Sequence, residues 1–329
     1  MTPIWQSPLW PRFGHDPAQT EGPLAAVITQ LGTLEGLRMA LPCTDQTTLR
    51  EAQSQQEAAA TLTLDGIPQT ANTTTAAQTT AGQGPLTTDH LHHWYSQLFP
   101  DAPIWRSDPL DIIRTDKAGQ EEVLYNALPP DRIPGAVSRF LDAINAPGDH
   151  PAPIRAALAY LWWDSIHPYD DGSSVIGRAI MRHLLPDAPV SQAMATDRRG
   201  HFAALQAGRT EGVGVIDGTA FVLWFLDRLT ITLTTTMADT HNLAARNRVL
   251  LHLRSFPAKT LPPSTENAVI ALFAQGQDAV AQGLNVALYA ALAKVSTATA
   301  SRHLTELETF GLITLGPDGG RSTRYFLAV

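Results

Sequence analysis

A chain of 329 residues, 44% apolar and 16% charged, is long enough to bury the cores of two or three domains. Its net charge of −8 and pI near 5.7 exclude a surface coated in positive charge for indiscriminate nucleic-acid binding, though not one small DNA-reading module. No apolar run reaches the roughly 18 to 20 residues needed to cross a bilayer. The opening MTPIWQSPLWPRFGHD lacks the basic and apolar stretches of a signal peptide. The single cysteine, Cys43, has no partner for an intramolecular disulfide, fits a reducing cytoplasm, and reads as a small buried or half-buried hydrophobe rather than a nucleophile.

Residues 1–16, rich in Trp and Pro, read as an ordered but irregular arm. Helical spacing follows over 19–41, with Leu24, Val27, Ile28, Leu31, Leu34 and Leu37 on one stripe. A second helix is expected from about Thr47 through Ala60, ending near Asp65-Gly66, where glycine suits a C-terminal cap. Residues 67–88, dominated by Thr, Ala, Gln and Gly, read as a flexible connector. The Asp89-His90-Leu91-His92-His93 run decorates a helix surface rather than holding a metal, because adjacent histidines point to different faces.

The helical pattern returns at Leu91 with Trp94, Tyr95 and Leu98. DIIRTD and EEVLYN, flanking Lys117-Ala118-Gly119-Gln120, predict a β-hairpin over 110–125. Helices are expected at about 133–145, 153–166, 174–185, 197–207 and 217–236. Residues 266–329 change grammar to three short helices and a turn-bearing strand pair, with the boundary in the Pro-rich stretch from Pro257 to Pro263.

Between two apolar helices lies Ile166-His167-Pro168-Tyr169-Asp170-Asp171-Gly172-Ser173-Ser174-Val175-Ile176-Gly177-Arg178, an acidic loop running into a helix start. The free N–H groups and positive dipole end at Gly172 to Val175 make an anion cradle. Asp171 beside it is suited to Mg²⁺ on a phosphate oxygen, His167 to taking a proton from a hydroxyl, and Arg178 to reaching a terminal phosphate. Taken singly, these are also a loop histidine, a turn aspartate and, in Ser173, a helix cap.

The stretch resembles the signature of the Fic family, His-Pro-Phe-x-Asp/Glu-Gly-Asn-Gly-Arg-x-x-Arg. His167, Pro168, Asp171, Gly172 and Arg178 match, and Tyr169 stands for Phe. The apolar run Ala157 to Trp163 resembles the helix leading into that motif. Ile4-Trp5-Gln6-Ser7-Pro8-Leu9-Trp10-Pro11 resembles the opening of the helical domain that often precedes Fic cores, and the hairpin falls where the family has its target-binding flap.

The resemblance implies a mainly α protein. Residues 1–90 would form a helical domain with linker, 91–256 the Fic core and 257–329 a winged helix-turn-helix. It also implies transfer of AMP from Mg²⁺-bound ATP to a hydroxyl of a target protein. His167 would be the base, Asp171 the magnesium ligand, and Gly172, Ser173, Ser174, Gly177 and Arg178 the nucleotide-binding positions. Three departures stand together: Ser173 for the family's Asn, Ser174 for its second Gly and Val175 for its first Arg. Losing one such donor costs about 10² to 10³ in rate, so impaired or altered turnover is expected, or an inactive core serving as a regulator.

Thr61-Leu62-Thr63-Leu64-Asp65-Gly66 resembles the family's inhibitory motif, with Asp in place of Glu. Thr61 and Asp65 share a helix face. Asp65 is expected to meet Arg178, through water or more weakly than the longer Glu would.

Val286 to Phe310 reads as helix, turn and helix, with Ser296-Thr297 in the turn and Leu288, Leu292, Leu304 and Leu307 as its apolar contacts. A strand follows from Gly311, then a turn at Pro317 to Gly320 and a returning strand from Arg321. This resembles a winged helix. Thr299, Ser301, Arg302, Thr305, Arg321 and Arg324 are the candidates for DNA contact. From Leu284 onward the charge is only +1, so protein docking or dimerisation stands as an equal use of the module.

Overall fold

The computed structural model describes residues 3–78, 84–100, 105–115, 119–186, 188–256, 261–317 and 323–328. The chain divides into two compact units, one of Met1–Thr33 with Cys43–Thr234, the other of Leu34–Pro42 with Thr235–Val329. The expected boundaries near 90 and 257 therefore do not coincide with the observed ones. Residues 43–90 share a unit with the helices that follow, and the longer segment of the second unit begins at Thr235.

In the first unit the N-terminal arm contributes β1 (Phe13–Gly14), which pairs in parallel with a strand far along the chain. α1 (Pro17–Met39) buries Val27 and Leu34, whereas Ile28, expected on the same stripe, is exposed. α2 (Cys43–Leu64) starts earlier than the sequence suggested, and Cys43 at its first turn is exposed, correcting the expectation of burial. It stops where expected: Gly66 at φ 68 donates to Thr63 O and Ile67 N to Leu62 O, a paired closure that needs a left-handed residue.

The supposed connector contains α3 (Ala71–Gln78). Thr70 caps it through its hydroxyl and the N–H of Thr73, and Ala76 and Ala77 are buried with Ala58 and Leu62 of α2. Composition misled because alanine-rich segments need only a small apolar partner to stay helical. α4 (Thr88–Leu98) starts at the Thr87 cap, and His92 meets Trp105 edge to face, the ring centroids 4.5 Å apart.

The hairpin forms as β2 (Asp111–Thr115) and β3 (Glu121–Asn126), antiparallel with a register shift between Ile112 and Ile113. Gly119 has φ 82, and Lys117-Ala118 lie outside the described residues. α5 (Ile133–Asn145), α6 (Ala152–Ile166) and α7 (Ser173–Leu184) match the expected spans to within one residue at each end. α8 (Val190–Ala195) is new. Its Ser191 and Gln192 N–H groups donate at 2.7 and 3.0 Å to the buried carboxylate of Glu57 on α2. α9 (Arg198–Ala207) follows, then β4 (Thr210–Glu211) and β5 (Ile216–Asp217), which complete the three-stranded sheet β1-β5-β4. α10 (Thr219–Arg254) runs 18 residues past its expected end.

The second unit buries Val269, Leu272, Tyr289, Ala293, Ala300, Leu304 and Leu307 in one cluster. Its elements are α11 (Ser264–Phe273), α12 (Gln277–Gln282), α13 (Val286–Ala293), α14 (Thr297–Thr309) and the antiparallel pair β6 (Ile313–Leu315) and β7 (Tyr325–Leu327). Leu284 bridges to Tyr325 beside that pair. Ser296 is the N-cap of α14, accepting from Thr299 N at 3.1 Å.

Candidate active site

α6 is apolar nearly all round, with Ile154, Tyr160, Leu161, Trp163 and Ile166 fully buried, as a central helix requires. It ends on His167, which adopts φ 48 and ψ 66 and donates its N–H to Trp163 O at 3.0 Å. A left-handed conformation at a non-glycine residue is strained, and here the surroundings enforce it. Arg106, 2% exposed, holds the turn. Its Nε donates to His167 O at 2.8 Å, its Nη1 to Asp108 O at 2.8 Å, its Nη2 to Leu128 O, and its backbone N–H to Pro168 O at 3.1 Å.

The loop is closed by Ser173. Its hydroxyl accepts from Tyr169 N at 2.9 Å and donates to Tyr169 O at 3.1 Å, while Trp163 Nε1 donates to Ser173 O at 2.8 Å. Tyr169 lies in an aromatic stack with Tyr95 at 3.8 Å, Trp105 at 5.3 Å and Trp163 at 6.1 Å. Gly172, at φ 74, caps α7, and a Cβ built on it would lie 2.3 Å from Phe99 Cε2. Only glycine fits under that ring.

A cavity of about 300 Å³ opens beside the loop. Its apolar wall comes from the hairpin and α9: Ile112, Leu124, Tyr125, Phe202 and Leu205. Its polar wall holds Asp65, Asp164, His167, Asp170, Ser174, Arg178, Arg198, His201 and Arg209. Arg178 is 1% exposed, with Nε donating to Thr61 Oγ1 at 2.7 Å, Nη2 to Thr61 O at 3.1 Å, and Nη2 paired with Asp65 Oδ1 at 3.0 Å. Burial opposes its charge, but Asp65 and then Tyr160 outweigh burial and raise its pKa. Asp65 and Arg178, expected to meet through water or more weakly than a longer Glu would, form a direct ion pair.

Asp164, 3% exposed, forms an ion pair with Arg209 Nη2, accepts from Ser174 Oγ at 3.4 Å, and places Oδ1 4.0 Å from His167 Nδ1. Burial raises its pKa, but Arg209, His167 and His201 overcome that and hold it below the usual carboxylate range. Burial lowers the pKa of His167, against the pull of Asp164. Burial also depresses His201, to about 4, so its imidazole is neutral at pH 7.

Several of the sequence-derived candidates stand outside the lining of this cavity. Asp171 is exposed and outside the cavity lining, where Asp170 stands instead. Gly172 lies under Phe99, and the buried Ser173 hydroxyl is committed to Tyr169, so neither lines the cavity. Gly177 is a packing glycine: a Cβ there would lie 2.9 Å from Trp163 Cδ1 and 3.0 Å from the Tyr160 ring. Val175 is buried among Ala58, Leu62, Ala76, Ala77 and Leu98. Sequence reasoning passed over Arg106, Asp164, Arg198, His201 and Arg209. The one local signal was a charged Asp164 inside the apolar run Ala156 to Ile166.

Residues 85–185 match the model of the Fic/DOC family. The solved structure of a Fic family protein from Desulfovibrio desulfuricans G20 is similar in fold, with TM-score 0.55 and 15% identity, over 96% of this chain and 98% of that one. A Fic domain containing signaling protein from Bacteroides thetaiotaomicron VPI-5482 gives TM-score 0.52 and 14% identity, over 65% of this chain and 95% of that one. No curated protein matches the chain. Residues 85–185 form a Fic domain.

The Fic domain supplies His167, Asp164, Ser174 and Arg178. Asp65, Arg198, His201 and Arg209 come from α2 and from α9 and its C-terminal flank, outside the matched residues. No group of three or more His, Cys, Asp or Glu among the described residues could hold a metal by itself. Asp170 in the cavity lining and the exposed Asp171 are the carboxylates of the Fic loop, and one or two carboxylates are the usual protein share of a Mg²⁺ bound with phosphate oxygens.

Of the DNA-contact candidates, Ser301, Arg302 and Thr305 are exposed on α14. Thr299 is half-buried at its cap, and Arg324 Nη1 donates to Gly283 O at 3.3 Å. Arg321 lies outside the described residues.

Proposed function

We propose that the chain is a Fic-type nucleotidyltransferase that moves AMP from ATP to a protein hydroxyl, restrained by Asp65. The observation that carries this reading is that His167 and Arg178 line one cavity, with Asp65 bound directly to Arg178. His167 would take the proton of the incoming hydroxyl. Arg178, once released from Asp65, would hold the terminal phosphate. Asp170 on the wall and Asp171 beside it would supply carboxylate oxygens for the magnesium, which neutralises phosphate charge when bound.

The hairpin supports a peptide target, since Ile113 and Val123 leave its strands apolar and about half exposed, the form that strand addition needs. The C-terminal unit, with α13, the Ser296 cap, α14 and the β6–β7 pair, would be a winged helix. Its partner, DNA or protein, would meet Ser301, Arg302 and Thr305.

A second reading, a non-catalytic regulator, is favoured by two observations: Phe99 over Gly172, and Val175 seated in an apolar cluster where the family motif has Arg. Calorimetric titration of Mg²⁺-bound ATP into wild type and Asp65→Gly separates the two. The enzymatic reading predicts at least about tenfold tighter binding by the variant, about 1.4 kcal/mol. Equal or absent binding by both proteins favours the regulator.

A further inference from the structure

We infer that Asp164 is the positioning residue of His167, a buried carboxylate that keeps the imidazole proton on Nδ1 and leaves Nε2 bare as the base. The catalytic part of this inference rests on the transferase reading above.

A buried carboxylate is costly unless paired, and Asp164 is 3% exposed. Arg209 provides the pairing and is itself fixed. Its Nε donates to Ser165 Oγ at 3.0 Å, and its guanidinium lies over the Tyr125 ring at 4.2 Å. Arg209 occupies Oδ2. Oδ1 is turned the other way, toward Ser174 Oγ at 3.4 Å and His167 Nδ1 at 4.0 Å.

The histidine presents the complementary feature. His167 Nδ1 is buried with no partner at full hydrogen-bond geometry, an uncommon state for a polar atom, and the backbone of Asp164 as well as its carboxylate favours a proton on the ring. A distance of 4.0 Å exceeds a hydrogen bond, but such contacts tighten when substrate binds. The left-handed backbone of His167 fixes the ring over the last turn of α6, with Asp164 three residues earlier.

The charges around His167 explain why a carboxylate is needed. Arg209, beyond α9, and Arg106, before β2, both oppose an imidazolium, as does burial. Asp164 from α6 acts against them, though burial still leaves the pKa below its ordinary value. Asp170 from the loop and His201 from α9 line the same cavity. In the transfer itself, the target oxygen bonds to the α-phosphorus as the bond to pyrophosphate breaks. The hydroxyl proton passes to Nε2, and pyrophosphate leaves with the electron pair. The imidazolium so formed faces Asp164 through its Nδ1–H.

The test begins on the intact wild-type protein, so it does not depend on any variant folding. Long-range ¹H–¹⁵N correlation spectra, with His167 assigned by its loss in His167→Gln, report which nitrogen of the neutral ring carries the proton. The inference predicts Nδ1; a proton on Nε2 overturns it, whether or not the protein is active. Asp164→Asn should then lower the His167 pKa by about one unit, the scale of one nearby opposite charge. The double variant Asp164→Asn with Arg209→Gln removes both charges together should the single one fail to fold. An unchanged pKa in folded Asp164→Asn, or in the double variant compared with Arg209→Gln alone, also overturns the inference. In an active protein, Asp164→Asn should lower kcat about 10- to 100-fold, with KM for ATP within about twofold. A proton on Nδ1 with a pKa that falls in the variant, but no AMP transfer by any form, sinks the transferase reading and leaves the pairing intact.

Discussion

Gly172 shows how one residue couples backbone, packing and site. Its φ of 74 and the Phe99 ring above it leave no room for a Cβ. Gly172→Ala should cost about 2 to 3 kcal/mol by thermal or denaturant unfolding, combining left-handed strain with overpacking. Adding Phe99→Ala should relieve the steric part; a double variant showing the plain sum of the two single losses would contradict that account.

His201 gives a second prediction at this scale. Burial holds its folded-state pKa near 4, below the ordinary 6.5, so the unfolded chain binds a proton the native state refuses. Its contribution is therefore present above about pH 6.5 and declines as pH falls toward 4, by up to about 3 kcal/mol. Unfolding free energy measured from pH 7 to 4 should fall less steeply in His201→Phe than in wild type. Parallel curves would contradict the assignment.

Among the elements, α2 ties the site to the N-terminal segment. Glu57, Thr61 and Asp65 recur every four residues, so one helix face meets the α8 backbone through Glu57 and Arg178 through the other two. Part of this was legible in the chain. Asp65-Gly66 marked the helix end, the resemblance to an inhibitory motif pointed Asp65 to Arg178, and periodicity placed α5 to α7 within a residue. The hairpin was legible from strand composition around Gly119. What stayed hidden depends on partners distant in sequence. α3 forms only because Ala76 and Ala77 meet α2, and Arg209 meets Asp164 across 45 residues with no local trace.

Val175 reverses a sequence-based expectation in a similar way. Read as a motif position it is a lost arginine; in the structure it is a core residue against α2 and α3. Val175→Arg should lower unfolding free energy by at least about 3 kcal/mol, because it places an unpaired charge in an apolar cluster. Restored turnover at unchanged stability would refute this view of the position. Joint replacement Ser173→Asn, Ser174→Gly and Val175→Arg should inherit the same loss.

At the scale of the whole chain there are two compact units, the first holding the Fic domain and the second the α11–α14 module. Both proposed readings agree on that architecture and differ over whether the cavity beside His167 performs chemistry. Transfer of label from α-³²P-ATP with Mg²⁺ decides it most directly, using wild type, Asp65→Gly, and Asp65→Gly with His167→Ala. The account predicts label on protein for Asp65→Gly, at least about tenfold above wild type and abolished by His167→Ala. Label that persists without His167, or none in Asp65→Gly even though it binds ATP, would contradict it.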